Sequence, residues 1–132
     1  MTASKTLPIR SSEDVVRIRS EVRNASIAAG FSLVDQTKFV TAASELARNM
    51  VIYAAGGEMQ IELLESGGRR GVRLAFIDQG PGIPDIDQAM KDGFTTGTGL
   101  GLGLGGARRL VNEFTIESKL GHGTRVTIAR WK

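Results

Sequence analysis

The run Gly97-Thr98-Gly99-Leu100-Gly101-Leu102-Gly103-Leu104-Gly105-Gly106 rules out more folds than any other part of this chain. Glycine at every second position weakens strand and helix alike. The stretch Gln79–Gly106, also rich in Pro, Asp and Thr, therefore cannot be one regular element. A flexible linker would be more polar and would join two domains. Here leucines alternate with the glycines, and a helical pattern follows at once in Ala107–Glu113, with its first turn expected to reach back into the glycines. Such backbone, leading into a helix, offers unblocked N–H groups and the positive end of the helix dipole, which together bind phosphate.

The remaining sequence supplies a scaffold for that loop. Ser11-Ser12 followed by Glu13-Asp14 reads as an oxygen-capped helix start with an acidic first turn. Val15, Ile18, Val22, Ala25 and Ala29 then recur at helical spacing until Gly30. A second helix starts near Ser32 or Asp35. Its apolar face is Phe39, Ala42, Ala43, Leu46, Met50 and Tyr53, and Gly56-Gly57 ends it. Glu58–Glu65 alternates as a half-buried strand, Ser66–Gly71 is turn chemistry, and Val72–Asp78 returns as a hairpin partner. Phe114–Lys119 and Thr124–Trp131 read as a last strand pair across Gly121-His122-Gly123, and Lys5–Arg10 adds an edge strand. The fold class expected is α+β, a two-layer sandwich with a mixed, mostly antiparallel sheet and helices on one face. With 132 residues and no repeat or linker, one domain over 1–132 is expected.

Two further places carry chemistry. Glu45 and Asn49 stand four residues apart on one helix face, beside Leu46 and Met50, which point to the core. A carboxylate and an amide oxygen at that border can accept hydrogen bonds or reach a hard cation such as Mg²⁺, which favours oxygen ligands. Taken alone, the pair is better explained as a solvated helix edge. Asp78 ends a strand and enters Gln79-Gly80-Pro81-Gly82-Ile83-Pro84. A carboxylate there can accept a hydrogen bond from an amino group such as that of adenine, and flanking glycines let backbone approach a flat ring. An ordinary Pro-Gly turn opened by Asp is the plainer alternative.

Other chemistries lack support. Gly101, Gly103 and Gly106 fit the spacing of a dinucleotide fingerprint, but a Thr/Gly loop precedes them and a strand pair follows, so the βαβ context is absent. There is no G-x-x-x-x-G-K-[ST] loop, no H-R-D or D-F-G, and no G-x-S-x-G elbow. With no cysteine and a single histidine, His122 in a glycine turn, zinc chemistry and disulfides have no ligands to work with. The net charge of +3 is scattered, with only the pairs Arg69-Arg70 and Arg108-Arg109, so no nucleic-acid stripe is expected. No apolar run approaches the ~20 residues of a membrane span and the N-terminus lacks a signal-like stretch, so a cytoplasmic protein is expected.

In chain order, Glu45-Leu46-Ala47-Arg48-Asn49, Asp78-Gln79-Gly80-Pro81-Gly82, the glycine run and Gly121-His122-Gly123-Thr124 resemble the N, G1, G2 and G3 boxes of the GHKL ATPase superfamily, the Bergerat fold. The resemblance extends from about Ser11 to Trp131. Within the superfamily the chain is similar to the small serine/threonine switch kinases of bacterial partner-switching systems and their stressosomes. Ser44–Asn49, Asp78–Ile86 and Asp92-Gly93-Phe94 carry that likeness. Thr95-Thr96 stand where the related anti-sigma kinases often have an arginine, which favours the switch-kinase subgroup. The span Gly82–Gly97 is shorter than the lid of sensor histidine kinases and topoisomerase-like members.

The resemblance implies ATP and Mg²⁺ as cofactors. Asn49 would hold the metal, and Glu45 would be the catalytic base for the substrate hydroxyl. Asp78 would bind the adenine amine, Gly80 and Gly82 would form the base pocket, and Thr124 would help through a water. Gly97, Gly99, Gly101 and Gly103 would face the phosphates. It further implies partners: STAS-domain substrate and scaffold proteins of the RsbS and RsbR kind, and a phosphatase of the RsbU kind activated on release. Two alternatives stand beside the kinase, an anti-sigma factor that sequesters a sigma factor and a protein in which nucleotide acts only as a switching ligand.

Overall fold

Strand alternation builds a five-stranded sheet. The computed structural model describes residues 4–54, 56–80, 103–119, 121 and 123–132. Strands β1 (Ser4–Ile9), β2 (Gly57–Ser66), β3 (Arg69–Asp78), β4 (Glu113–Lys119) and β5 (Gly123–Trp131) lie in the order β1-β2-β3-β5-β4. The sheet was expected to be mixed and mostly antiparallel, and every described pairing is antiparallel. Connectivity explains this. Two helices between β1 and β2 return the chain in the opposite sense, β2–β3 and β4–β5 are hairpins, and β5 inserts between β3 and β4. Pro8 sits in the edge strand β1, where one missing N–H is tolerated.

The β2–β3 turn is tighter than the expected Ser66–Gly71. Gly67 and Gly68 both have positive φ, 57° and 81°, as a two-residue hairpin matched to sheet twist requires. Arg69 and Arg70 therefore belong to the strand, opposite Ser66 and Glu65.

Helices α1 (Ser12–Ala28) and α2 (Leu33–Ala54) pack on each other and against the sheet. Ser11 is extended at the N-cap of α1 but its side chain makes no cap bond, contrary to expectation. The Asp14 carboxylate accepts instead the N–H of Arg10, the residue before that cap, at 2.8 Å. At α2 the Ser32 hydroxyl does cap, accepting the Asp35 N–H at 3.1 Å. Ile18 and Val22 of α1 and Phe39, Ala42, Ala43, Leu46 and Met50 of α2 meet Met59, Leu74, Phe76 and Ile128 of the sheet in one buried core. Among the described residues no helix is long and apolar enough to cross a membrane.

A short helix α3 (Gly103–Arg109) reaches back into the glycines as expected, but ends at Arg109 and not at Glu113. Gly105, Gly106 and Ala107 are buried, and the small side chains let α3 pack against α2. Its end is fastened to β5: Asn112 N–H donates to the Ala129 carbonyl at 3.0 Å and Trp131 N–H to Asn112 Oδ1 at 2.7 Å. These bonds draw residues 110–112 out of helix and hand Glu113 to β4.

Arg130 reaches Asp35 of α2 with Nη2 at 2.7 Å. The guanidinium bond holds the Asp35 carboxyl below its ordinary range. A carboxyl depressed in the folded state stabilises the fold above its unfolded pKa, and that contribution is lost as pH falls through the folded value. The Asp35 side chain is 31% exposed, so solvent screening limits the pair to about 1 kcal/mol. Urea denaturation should place Asp35→Asn below the wild type by about 1 kcal/mol at pH 7, with the gap closing as pH falls below the usual Asp range.

Gly57 is required by packing. A Cβ there would collide with the Ile77 carbonyl oxygen, and would lie 2.8 Å from Met50 Sδ and 3.1 Å from Asp78 Cα. Gly57→Ala is expected to lower stability by about 2 kcal/mol, as overpacking against backbone does, and a urea midpoint measures it.

Candidate nucleotide site

Glu45 and Asn49 flank the buried stripe of α2. Leu46, Ala47 and Met50 beside them are 3%, 0% and 5% exposed, so the helix cannot rotate the pair away without exposing core. Both polar residues are half-buried. The Glu45 side chain is 18% exposed and Arg48 approaches its Oε1 at 3.7 Å, one helical turn on. Among the described residues no group of three or more His, Cys, Asp or Glu comes together. A hard cation beside Asn49 would thus draw its other oxygens from ligand and water, the coordination Mg²⁺ favours.

The last turns of α2 abut the end of β3. The contact runs through Gly57, pressed between Met50 and Asp78, and through Gly80, where a Cβ would lie 2.9 Å from the Ala54 Cβ and 3.1 Å from Asp78 Oδ1. Asp78 is half-buried and its Oδ1 accepts the Gly80 N–H at 2.8 Å, an Asx turn that leaves carboxylate lone pairs for another donor. Thr124 pairs with Asp78 across β3 and β5 and is 9% exposed. Its Oγ1 lies 2.9 Å from the Ser118 hydroxyl. Gly123, at φ 96°, has its backbone against the Asp78 carbonyl, where any Cβ would collide.

The structure therefore brings Asp78, Gly80 and Thr124 together, and sets the Met50 and Ala54 turns of α2, which follow Glu45 and Asn49 along the helix, beside them. Gly103 opens α3. Gly82, Gly97, Gly99 and Gly101 lie outside the described residues, as do His122, Asp92-Gly93-Phe94 and Thr95-Thr96. The side chain of Tyr53, expected on the core face of α2, is likewise outside them. Sequence reasoning missed Ser118 and the packing demand on Gly57. Once the β4–β5 register is known, Ser118 falls opposite Thr124, but no local pattern announces it.

Residues 34–132 match the family described as histidine kinase-, DNA gyrase B- and HSP90-like ATPases. The chain is 43% identical over 131 residues to the serine/threonine-protein kinase RsbT of Bacillus subtilis (strain 168), covering 99% of this chain and 98% of that protein. It is 32% identical over 97 residues to an anti-sigma F factor of Thermoanaerobacter sp. (strain X514), covering 69% of this chain and 66% of that protein. In three dimensions it resembles the crystal structure of the RsbU and RsbW domains of Rv1364c from Mycobacterium tuberculosis, with a TM-score of 0.66 and 22% identity. That likeness covers 100% of this chain and 33% of the other, and it bears on the fold alone.

Proposed function

This chain belongs to the histidine kinase-, DNA gyrase B- and HSP90-like ATPase family, and we infer that it is an ATP-dependent serine/threonine protein kinase of a partner-switching system. The observation that carries the inference is the 43% identity to a serine/threonine kinase over nearly the whole of both chains. The juxtaposition of the α2 turns with the Asp78 end of the sheet supports it, because phosphoryl transfer depends mainly on positioning and charge neutralisation.

In this reading Asp78 accepts a hydrogen bond from the adenine amine, with Gly80 and Gly82 along the ring and Thr124 contributing its hydroxyl through a water. Gly97, Gly99, Gly101 and Gly103 give backbone N–H groups to the phosphates. Asn49 holds Mg²⁺ through its amide oxygen. The ion, when bound, neutralises phosphate charge that would repel an incoming hydroxyl. Glu45 takes the proton of the substrate Ser or Thr hydroxyl as its oxygen attacks the γ-phosphorus and the bond to the β-phosphate oxygen breaks. The products are phosphoprotein and ADP. The chain acts as one domain on STAS-domain partners in the cytoplasm, and once released it activates a phosphatase.

Similarity to an anti-sigma F factor favours one second reading, sequestration of a sigma factor with kinase activity on its antagonist. Labelled ATP incubated with STAS-domain proteins from neighbouring reading frames tests the first. Label on a serine or threonine of one of them supports it, and no transfer to any overturns it. Capture of a sigma factor in a pull-down, without the phosphatase or the scaffold, moves the assignment to the second.

A further inference from the structure

Arg130 does more than pair with Asp35. Its Nη2 donates to Asp35 Oδ1 at 2.7 Å, its Nη1 donates to the Leu110 carbonyl at 2.8 Å, and its Nε is buried without a partner among the described residues. Leu110 is the first residue after α3, and the bond caps the end of that helix. Of the consecutive β5 residues Ala129, Arg130 and Trp131, the first and last thus hold Asn112 and Arg130 holds Leu110. Arg130 also extends the attachment to α2.

We propose that Asp35 and Arg130 form a positioning bridge that fixes α3, the helix into which the glycine run leads, against α2, the helix bearing Glu45 and Asn49, and so sets the affinity for ATP. The inference rests on the nucleotide site proposed above. Asp35 precedes Glu45 by ten residues, about 15 Å along the helix axis, so the bridge is proposed to act without touching nucleotide. Their effect passes through the placement of α3. The Arg130 side chain is 14% exposed, and its Nε has no partner among the described residues. Stability alone is poorly served by that, since apolar residues often replace desolvated ion pairs at no cost. A fork that grips a carboxylate on one helix and a carbonyl at the end of another specifies relative position.

The test is Mg-ATP titration by calorimetry, with steady-state transfer to a STAS-domain substrate, below the melting transition of each variant. Arg130→Met is expected to raise both the ATP Kd and the ATP KM about tenfold, with kcat at saturating ATP within about twofold. Asp35→Asn keeps an oxygen acceptor for Nη2 and should stay within about threefold of wild type. Arg130→Lys has one ammonium for two acceptors and should fall between them. Should Arg130→Met fail to fold, Arg130→Lys decides. A wild-type Kd in folded Arg130→Met or Arg130→Lys overturns the bridge, as does a loss of kcat with KM unchanged. Wild-type protein that binds no Mg-ATP overturns the site itself, whereas tight wild-type binding with unaffected variants removes the bridge alone.

Discussion

Glu45→Gln is expected to lower phosphoryl transfer to protein substrate by about 10²–10⁴-fold, the range that loss of a positioned general base produces, with Mg-ATP affinity within about threefold of wild type. The amide keeps the size of the carboxylate and its place beside the buried Leu46 and Ala47, so the α2 packing persists. What disappears is the capacity to take a proton. Arg48, at 3.7 Å from Glu45 Oε1 and 42% exposed, loses only a solvent-screened partner. Single-turnover transfer from labelled ATP, with calorimetric Kd values for both proteins, separates the two quantities. Equal loss of binding and turnover would assign Glu45 to nucleotide binding rather than to the chemical step.

Asp78→Asn is expected to weaken Mg-ATP binding by about 10–100-fold, corresponding to one hydrogen bond to a charged group. The substitution is instructive because Asn retains an oxygen for the Gly80 N–H, now accepted by Asp78 Oδ1 at 2.8 Å. The turn survives and the melting temperature should move little. The second oxygen, available to an incoming amine, becomes an NH₂ donor that opposes one. Calorimetry checks the affinity and thermal denaturation the fold. An unchanged Kd would remove Asp78 from the adenine contact.

Much of this architecture is legible in the residues. Period-two alternation marks β2, helical spacing marks Ile18 and Val22 on α1, and the order Glu45–Asn49, Asp78–Gly80, glycine run, Thr124 is what suggests the proposed site. Less local features escape it. The extent of β3 depends on two glycines adopting positive φ, so Arg69 and Arg70 read as turn when they are strand. The position of α3 depends on hydrogen bonds from β5 that end it at Arg109. Asp35 and Arg130 lie 95 residues apart, and nothing near either one names the other. Ser11 shows the opposite error: the residue type suits a cap, yet its side chain makes no cap bond. Propensity and period report on the chain's own neighbourhood, whereas caps, registers and bridges are chosen by what packs against it.

The central claim is that the α2 turns and the Asp78–Thr124 end of the sheet form one nucleotide site. Titrating Mg-ATP into isotopically labelled protein and following amide resonances tests it most directly. Gly80, Thr124 and the Asn49 side-chain amide should shift together along one binding curve. Saturable binding that leaves those three signals in place and moves residues elsewhere would contradict the account.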